Sequence, residues 1–126
     1  MSVDYLSVPV TTTAADAIHA ISQATHMQPE AVVVAFCHDQ DRRLAGSVSL
    51  VALVQSPPAV TMETLVDPSP VHVHPDADLT EITSAMADFN LLVLPVLDHD
   101  DHQIGVLTID DILEAAIAPE RRRGQA

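Results

Sequence analysis

The chain has 126 residues, a size that fits one compact domain or two small interlocked ones. It carries 18 acidic residues against 5 basic ones, contains no Lys, and has a formal charge of −13. Such a surface repels phosphate backbones and attracts cations, which argues against nucleic acid as a partner. An acidic surface also serves solubility alone. Hydrophobic residues make up 48% of the chain and aromatic ones 2%, so the core must be aliphatic. The longest apolar runs, Ala31–Cys37 and Leu91–Leu97, fall far short of the roughly 20 residues that span a bilayer. No signal peptide is visible, and the expectation is a soluble, cytoplasmic chain. Cys37 stands alone inside an apolar run, which predicts a buried structural thiol and no disulfide framework.

In chain order, a short strand is predicted near Tyr5–Val8. A helix follows, started by Thr13 and Asp16, with Ala17, Ile18, Ile21 and Ala24 as its apolar face. Pro29 and polar neighbours suggest a loop over Gln23–Glu30. Ala31–Cys37 reads as a strand buried on both faces. His38–Arg43 suits a hairpin turn, Leu44–Ser49 the second strand, and Leu50–Val54 a closing helix. Ser56-Pro57-Pro58-Ala59 divides the chain, because a Pro pair cannot continue a helix.

The second part starts with a short strand near Val71–Val73. Leu79, Ile82, Met86 and Phe89 are spaced as one helix face, and Asp78 with Glu81 resembles a capping box. Leu91–Leu97 is a second buried strand, Asp98–Gln103 a turn, and Ile104–Thr108 a strand. A last helix is predicted over Asp110–Ala118, with Ile112, Leu113, Ala116 and Ile117 inward. Pro119–Ala126 is expected to be a disordered tail.

The two parts repeat each other. Asp39 and Asp98 are 59 residues apart, as are Gly46 and Gly105. Upstream the offset is 65, from Thr13 to Asp78 and from Asp16 to Glu81, with Val8 opposite Val73. The first copy therefore carries six extra residues, within Gln23–Glu30. The fold class is α/β (α+β): two β-α-β-β-α repeats, 1–58 and 59–118, packed as a pseudo-twofold pair. Each half alone is small for a stable domain, and packing two together solves that.

Leu94-Pro95-Val96-Leu97-Asp98 and Gly105-Val106-Leu107-Thr108-Ile109-Asp110-Asp111-Ile112-Leu113 resemble the CBS domain. The first copy is a weaker match, with Phe36 in place of the Pro and Ser49-Leu50-Val51-Ala52 lacking the acid. Together the copies resemble a CBS pair, or Bateman module. Met1-Ser2-Val3-Asp4-Tyr5 and Asn90–Val96 look more particularly like the cytosolic CBS region of MgtE-type magnesium transporters. The resemblance implies a regulatory module, not an enzyme, and by default a homodimer. It also implies an adenosine nucleotide (AMP, ADP or ATP) or Mg²⁺ as ligand, and a membrane transporter as a possible partner; a ligand-free homodimeric assembly module is the remaining alternative.

The resemblance implies a nucleotide cleft between copies: Thr108 and Asp111, with the Tyr5, Ser7 and Val8 region and Val32 as the adenine side. Chemically, a Thr hydroxyl and free helix N–H groups suit phosphate, and an acid suits ribose hydroxyls. Thr and Asp are equally ordinary helix-capping residues. The corresponding site in the first copy, with Ser49 and Ala52, is expected to be degenerate. Asp110, Asp111 and Glu114 crowd one helix start and could hold Mg²⁺; acids there also simply favour the helix dipole. Since Asp111 is claimed twice, the two roles compete. His72 and His74 share one side of a strand, and His99-Asp100-Asp101-His102 crowd one turn. Either set could meet a transition metal, though a pair lacking a third ligand reads as solvated surface. No Gly-rich phosphate loop, metalloprotease motif or nucleophile elbow is present.

Overall fold

The computed structural model describes residues 1–66, 71–89, 91–115 and 117. The elements follow in order: β1 Ser7–Pro9, α1 Ala14–Gln23, α2 Pro29–Val32, β2 Val34–His38, β3 Leu44–Ser49, α3 Leu50–Gln55, α4 Met62–Leu65, α5 Leu79–Asp88, β4 Val93–Leu97 and β5 Gln103–Thr108. Residues 109–115 and 117 are helical again, and we call this stretch α6. Ala116 and residues 118–126, and with them the end of the expected last helix and the expected tail, lie outside the described residues.

The repeat is realised residue by residue. In the first hairpin Cys37 pairs Gly46 and His38 pairs Leu44, with a register shift between Cys37 and His38. In the second, Val96 pairs Gly105 and Leu97 pairs Gln103, with the shift between Val96 and Leu97. Both turns are built alike. Asp39 Oδ1 accepts from the N–H groups of Asp41 and Arg43, and Asp98 Oδ1 from those of Asp100 and His102. Arg42 and Asp101 then both take positive φ, 62° and 66°. The 65-residue offset holds too. Val8 pairs Cys37 in parallel, and Val73 pairs Val96 in parallel. Thr13 caps α1 through Asp16 N–H, and Asp78 caps α5 through Glu81 N–H.

Among the described residues, three apolar clusters hold the chain. Ala14, Ala17, Ala35, Cys37, Val48, Leu53 and Met62 form the first core. Val73, Met86, Leu94, Val96 and Ile112 form the second. Phe36 from the first sheet meets Val93 and Val106 from the second, with Tyr5 and Leu44 packed around them. Tyr5 sets its ring edge-on to Phe36 at 6.2 Å and donates its hydroxyl to the Gln103 carbonyl at 2.9 Å. Burying such aliphatic and aromatic groups contributes roughly 1.5–3 kcal/mol per side chain. The halves are therefore joined by a shared apolar seam as well as by the chain. Cys37 is fully buried, as expected, with Sγ 3.6 Å from the Gly46 carbonyl. Burial raises its thiol pKa to about 11.

Several expectations need correction. The first strand is Ser7–Pro9, not Tyr5–Val8, because Tyr5 is drawn into the seam. The six extra residues do not form a plain loop. Pro29 starts a single helical turn through Val32, suited by its fixed φ, and β2 begins only at Val34. Leu91 and Leu92 precede β4 rather than belonging to it. The strand expected at Val71–Val73 is reduced to one bridge at Val73. Residues beyond the Pro57-Pro58 break return to the first core. There α4 places Met62 with no exposure, its N–H bonded to the Thr12 carbonyl and that of Glu63 to the Val10 carbonyl. Leu79, Phe89, Leu113 and Ile117 are exposed, although helical spacing put them on inward faces. Short helices over a small sheet cover only one or two positions per turn, so the flanks of each apolar stripe remain outside.

The candidate ligand cleft

The amino-terminal residues cross from the first half to the second. Ser2 exchanges backbone hydrogen bonds with Val106, both at 2.9 Å, and so adds one rung to the outer edge of β5. Gly105 makes this possible. A Cβ there would stand 2.7 Å from Met1 Cγ and Sδ and 2.8 Å from the Ser2 carbonyl. Crossing in this way, the first residues become one wall of a cleft beside the start of α6.

That cleft has a volume of about 180 Å³ and is lined by Ser2, Asp4, His26, Gln28, Ala31, Thr108 and Asp111. Thr108 ends β5 and is buried. Its N–H donates to Asp111 Oδ2 at 3.0 Å, and its Oγ1 accepts from Asp111 N–H at 3.3 Å. This reciprocal pair is a capping box, so the capping role of both residues is real. It also holds them rigidly at the cleft wall. The Thr108 hydroxyl hydrogen remains able to donate, and Asp111 Oδ1 remains able to accept. Among the described residues, the lining contains two carboxylates and no Arg or Lys. Such a wall suits hydroxyls, amines or a cation better than bare phosphate.

The other candidate residues are placed elsewhere. Tyr5 and Ser7 line a separate cavity of about 510 Å³ with His38, Gln40, Asp41, Arg42, Leu44, His102 and Gln103. Burial raises the Tyr5 hydroxyl pKa. Val8 is packed against the first core. Ala31, not Val32, is the α2 residue in the cleft wall. Asp110 and Glu114 lie exposed on the first turns of α6. Among the described residues, the one group of three His, Cys, Asp or Glu whose ligand atoms lie within 4.8 Å of one another is Asp98, Asp100 and His102. Asp110, Asp111 and Glu114 are not gathered that closely. In the first copy Ser49 caps α3 through Ala52 N–H at 3.1 Å, and Ala52 offers no carboxylate. The rest of that second site would fall on residues 67–70 and 90, outside the described residues.

His26 and Gln28 were not singled out from the sequence. Their signal was the change of repeat offset from 65 to 59: residues extra to the shared half-module are free to serve the cleft.

The CBS domain family model matches residues 62–118. The chain is 29% identical over 116 residues to the magnesium transporter MgtE of Thermus thermophilus, covering 90% of this chain and 25% of that protein. It thus spans about a quarter of the length of the curated relatives it matches. The crystal structure of the cytosolic domain of the Mg²⁺ channel MgtE in complex with ATP superposes with a TM-score of 0.82 at 28% identity, covering 88% of this chain and 44% of that one. A CBS domain pair/ACT domain protein from Thermotoga maritima shares the fold with a TM-score of 0.77 at 20% identity, covering 94% and 93%. Among the described residues no helix is long and apolar enough to cross a membrane. Residues 62–118 are thus a CBS domain, and the chain as a whole has the fold of a CBS pair.

Proposed function

We propose that this CBS pair is a cytoplasmic regulatory module that takes an adenosine nucleotide into the cleft beside Thr108 and Asp111. Its occupancy would set how the module sits against a transporter of the MgtE kind. The observation that carries the reading is the Thr108–Asp111 pair, fixed by two mutual hydrogen bonds in the wall of a cleft that both halves build. The bound ATP of the similar MgtE cytosolic domain supports the ligand class. Asp111 Oδ1 would accept from ribose hydroxyls, with Thr108, Ser2 and Gln28 available to the rest of the nucleotide. Regulation requires that the ligand favour one arrangement of module and partner over another. The half-modules would be 1–58 and 59–118, with the segment through α4 strapped onto the first. A second copy would cover the exposed Val54 and Leu113, which are equivalent positions in the two halves.

A Mg²⁺-responsive module is the second reading. It is favoured by Asp4 and Asp111 both lining the cleft, with no Arg or Lys among its described lining residues. Hard cations favour such oxygen ligands, and Asp110 and Glu114 stand on the same helix start.

A thermal-shift panel of AMP, ADP and ATP, with and without Mg²⁺, tests both. A ligand at 100 times its Kd stabilises by about 2.7 kcal/mol. A shift with nucleotide that Asp111→Ala abolishes supports the first reading. A shift with Mg²⁺ alone, lost in Asp4→Asn, supports the second. No shift with any of them overturns both.

A further inference from the structure

We propose that His72, His74 and His99 form a site for one borderline divalent transition cation of the Zn²⁺ or Ni²⁺ class, separate from the cleft beside Thr108. Sequence spacing put His72 and His74 on one side of an extended segment but left them without a third ligand. The fold supplies it. Val73, between them, is bridged to Val96, which lays the segment along β4. The β4–β5 turn then brings His99 over His74, with ring centroids 5.9 Å apart and planes 21° from parallel. His72 and His74 lie 5.4 Å apart, edge to face. Two imidazoles on one tetrahedral ion, with metal–nitrogen bonds of about 2.0–2.1 Å, put their ring centroids roughly 5 Å apart. Both spacings are near that value; the donor nitrogens of the three rings do not themselves lie within 4.8 Å of one another, so binding requires His72 and His99 to turn about their side-chain bonds while His74 keeps its place.

His74 is already oriented for the role. Its Nδ1 lies 3.0 Å from the Leu97 carbonyl, which can only accept, so Nδ1 carries the proton. Nε2 therefore holds the lone pair. A metal-ligating imidazole is commonly fixed in this way, by its other nitrogen donating to a carbonyl or carboxylate. Imidazole ligands select Zn²⁺, Cu²⁺ or Ni²⁺ over Mg²⁺. The acidic surface, with Asp98 and Asp100 on the adjoining turn, raises the local cation concentration.

The chain contains its own control. By the two offsets of the repeat, the equivalents of His72, His74 and His99 in the first half are Ser7, Pro9 and Gln40. The half-module folds with those residues, so it does not need imidazoles at these places.

The test is calorimetric titration of the whole chain with ZnCl₂ and with NiCl₂, beside MgCl₂. One cation per chain is expected, undisturbed by excess Mg²⁺. His74→Gln and His99→Gln should each weaken binding by at least the roughly 10- to 100-fold that loss of a supporting partner costs at metal sites. His99 is exposed and His74 partly buried, and equal melting temperatures without metal verify that the variants fold. His102→Gln should bind as the parent does. Absence of binding overturns the proposal. So does binding that survives His74→Gln but is lost in His102→Gln, which would move the cation to Asp98, Asp100 and His102. Asp111→Ala should leave the titration unchanged, so the result is independent of the nucleotide reading.

Discussion

Arg43 and His102 occupy the same place in the two half-modules and face each other across the seam in an antiparallel bridge. A local twofold passes between them, since such a bridge between equivalent residues is what that symmetry produces. Leu44 N–H donates to the Asp101 carbonyl at 2.9 Å beside it, and His102 Nε2 donates to the Asp41 carbonyl at 3.0 Å. The bridge itself joins backbone to backbone, so it depends on the shape of the turns more than on their side chains, and the His102 imidazole adds one side-chain bond.

That shape requires positive φ at Arg42 and Asp101. A non-glycine residue in this region costs roughly 1–2 kcal/mol, part of which glycine recovers. Asp101→Gly is therefore expected to be neutral or to stabilise by up to about 1 kcal/mol. Asp101→Val, branched at Cβ, should destabilise by about 1–3 kcal/mol. Urea denaturation measures both. Equal midpoints for the two variants would show that the turn is not under this constraint.

Gly105 has a different reason to be glycine. A methyl group there displaces Met1 and the Ser2 backbone. Gly105→Ala should cost about 1–3 kcal/mol as overpacking and should free the amino-terminal residues from the edge of β5. Limited proteolysis would then cut before Tyr5 faster than in the parent. Since Ser2 and Asp4 line the cleft, nucleotide or Mg²⁺ binding should weaken with it.

Thr108→Ala removes one half of the capping box and should cost about 0.5–2 kcal/mol. Asp111→Asn keeps an oxygen to accept from Thr108 N–H. Its stability should stay within about 0.5 kcal/mol of the parent while ribose recognition weakens. Denaturation and ligand titration on the same samples separate capping from binding. If Asp111→Asn loses stability as Thr108→Ala does and binds ligand normally, Asp111 is a structural cap alone.

The Cys37 thiol, pushed up to about 11 from an ordinary 9.0 by burial, has a defined pH signature. Between these values the unfolded chain releases the thiol proton and the folded chain keeps it. Unfolding is therefore favoured as pH rises through that window, and this contribution to stability falls. Denaturation at pH 8 and pH 10 should show a drop that is smaller in Cys37→Ala. Asp98 works at the other end: the His102 N–H, ahead of other causes, holds its carboxyl below the ordinary value. Its contribution is present above the ordinary Asp range and is lost as pH falls through its lowered value. Asp98→Asn should flatten that acid limb.

Self-association tests the exposed helix flanks. Val54→Glu and Leu113→Glu place charge at equivalent exposed positions, so neither should unfold the chain. Sedimentation should show the parent associating and the double variant not. Identical profiles would remove the proposed second copy from this face.

Much of the architecture could be read from the residues because the repeat is local. Each hairpin turn, with its Asp39 or Asp98 acceptor, is closed within a few residues, and its spacing is therefore written in the chain. The strands β2 and β4 are buried on both faces, and a continuous apolar run is what that demands. Thr108 and Asp111 were legible for the same reason, as partners three residues apart at a helix start.

What tertiary structure alone decided lies between distant segments. Ser2 pairing with Val106, Met62 entering the first core, His26 and Gln28 lining the cleft, and His99 settling on His74 all join parts far apart in sequence. No periodicity records such contacts, because each is set by where the two halves come to rest against each other. Tyr5 shows the difference well. Its position near the first strand was evident, but its ring serves the Phe36 seam instead of the Thr108 cleft. Side chains follow the free energy of the packed whole, and hydrophobic burial at the seam outweighed the local pattern there.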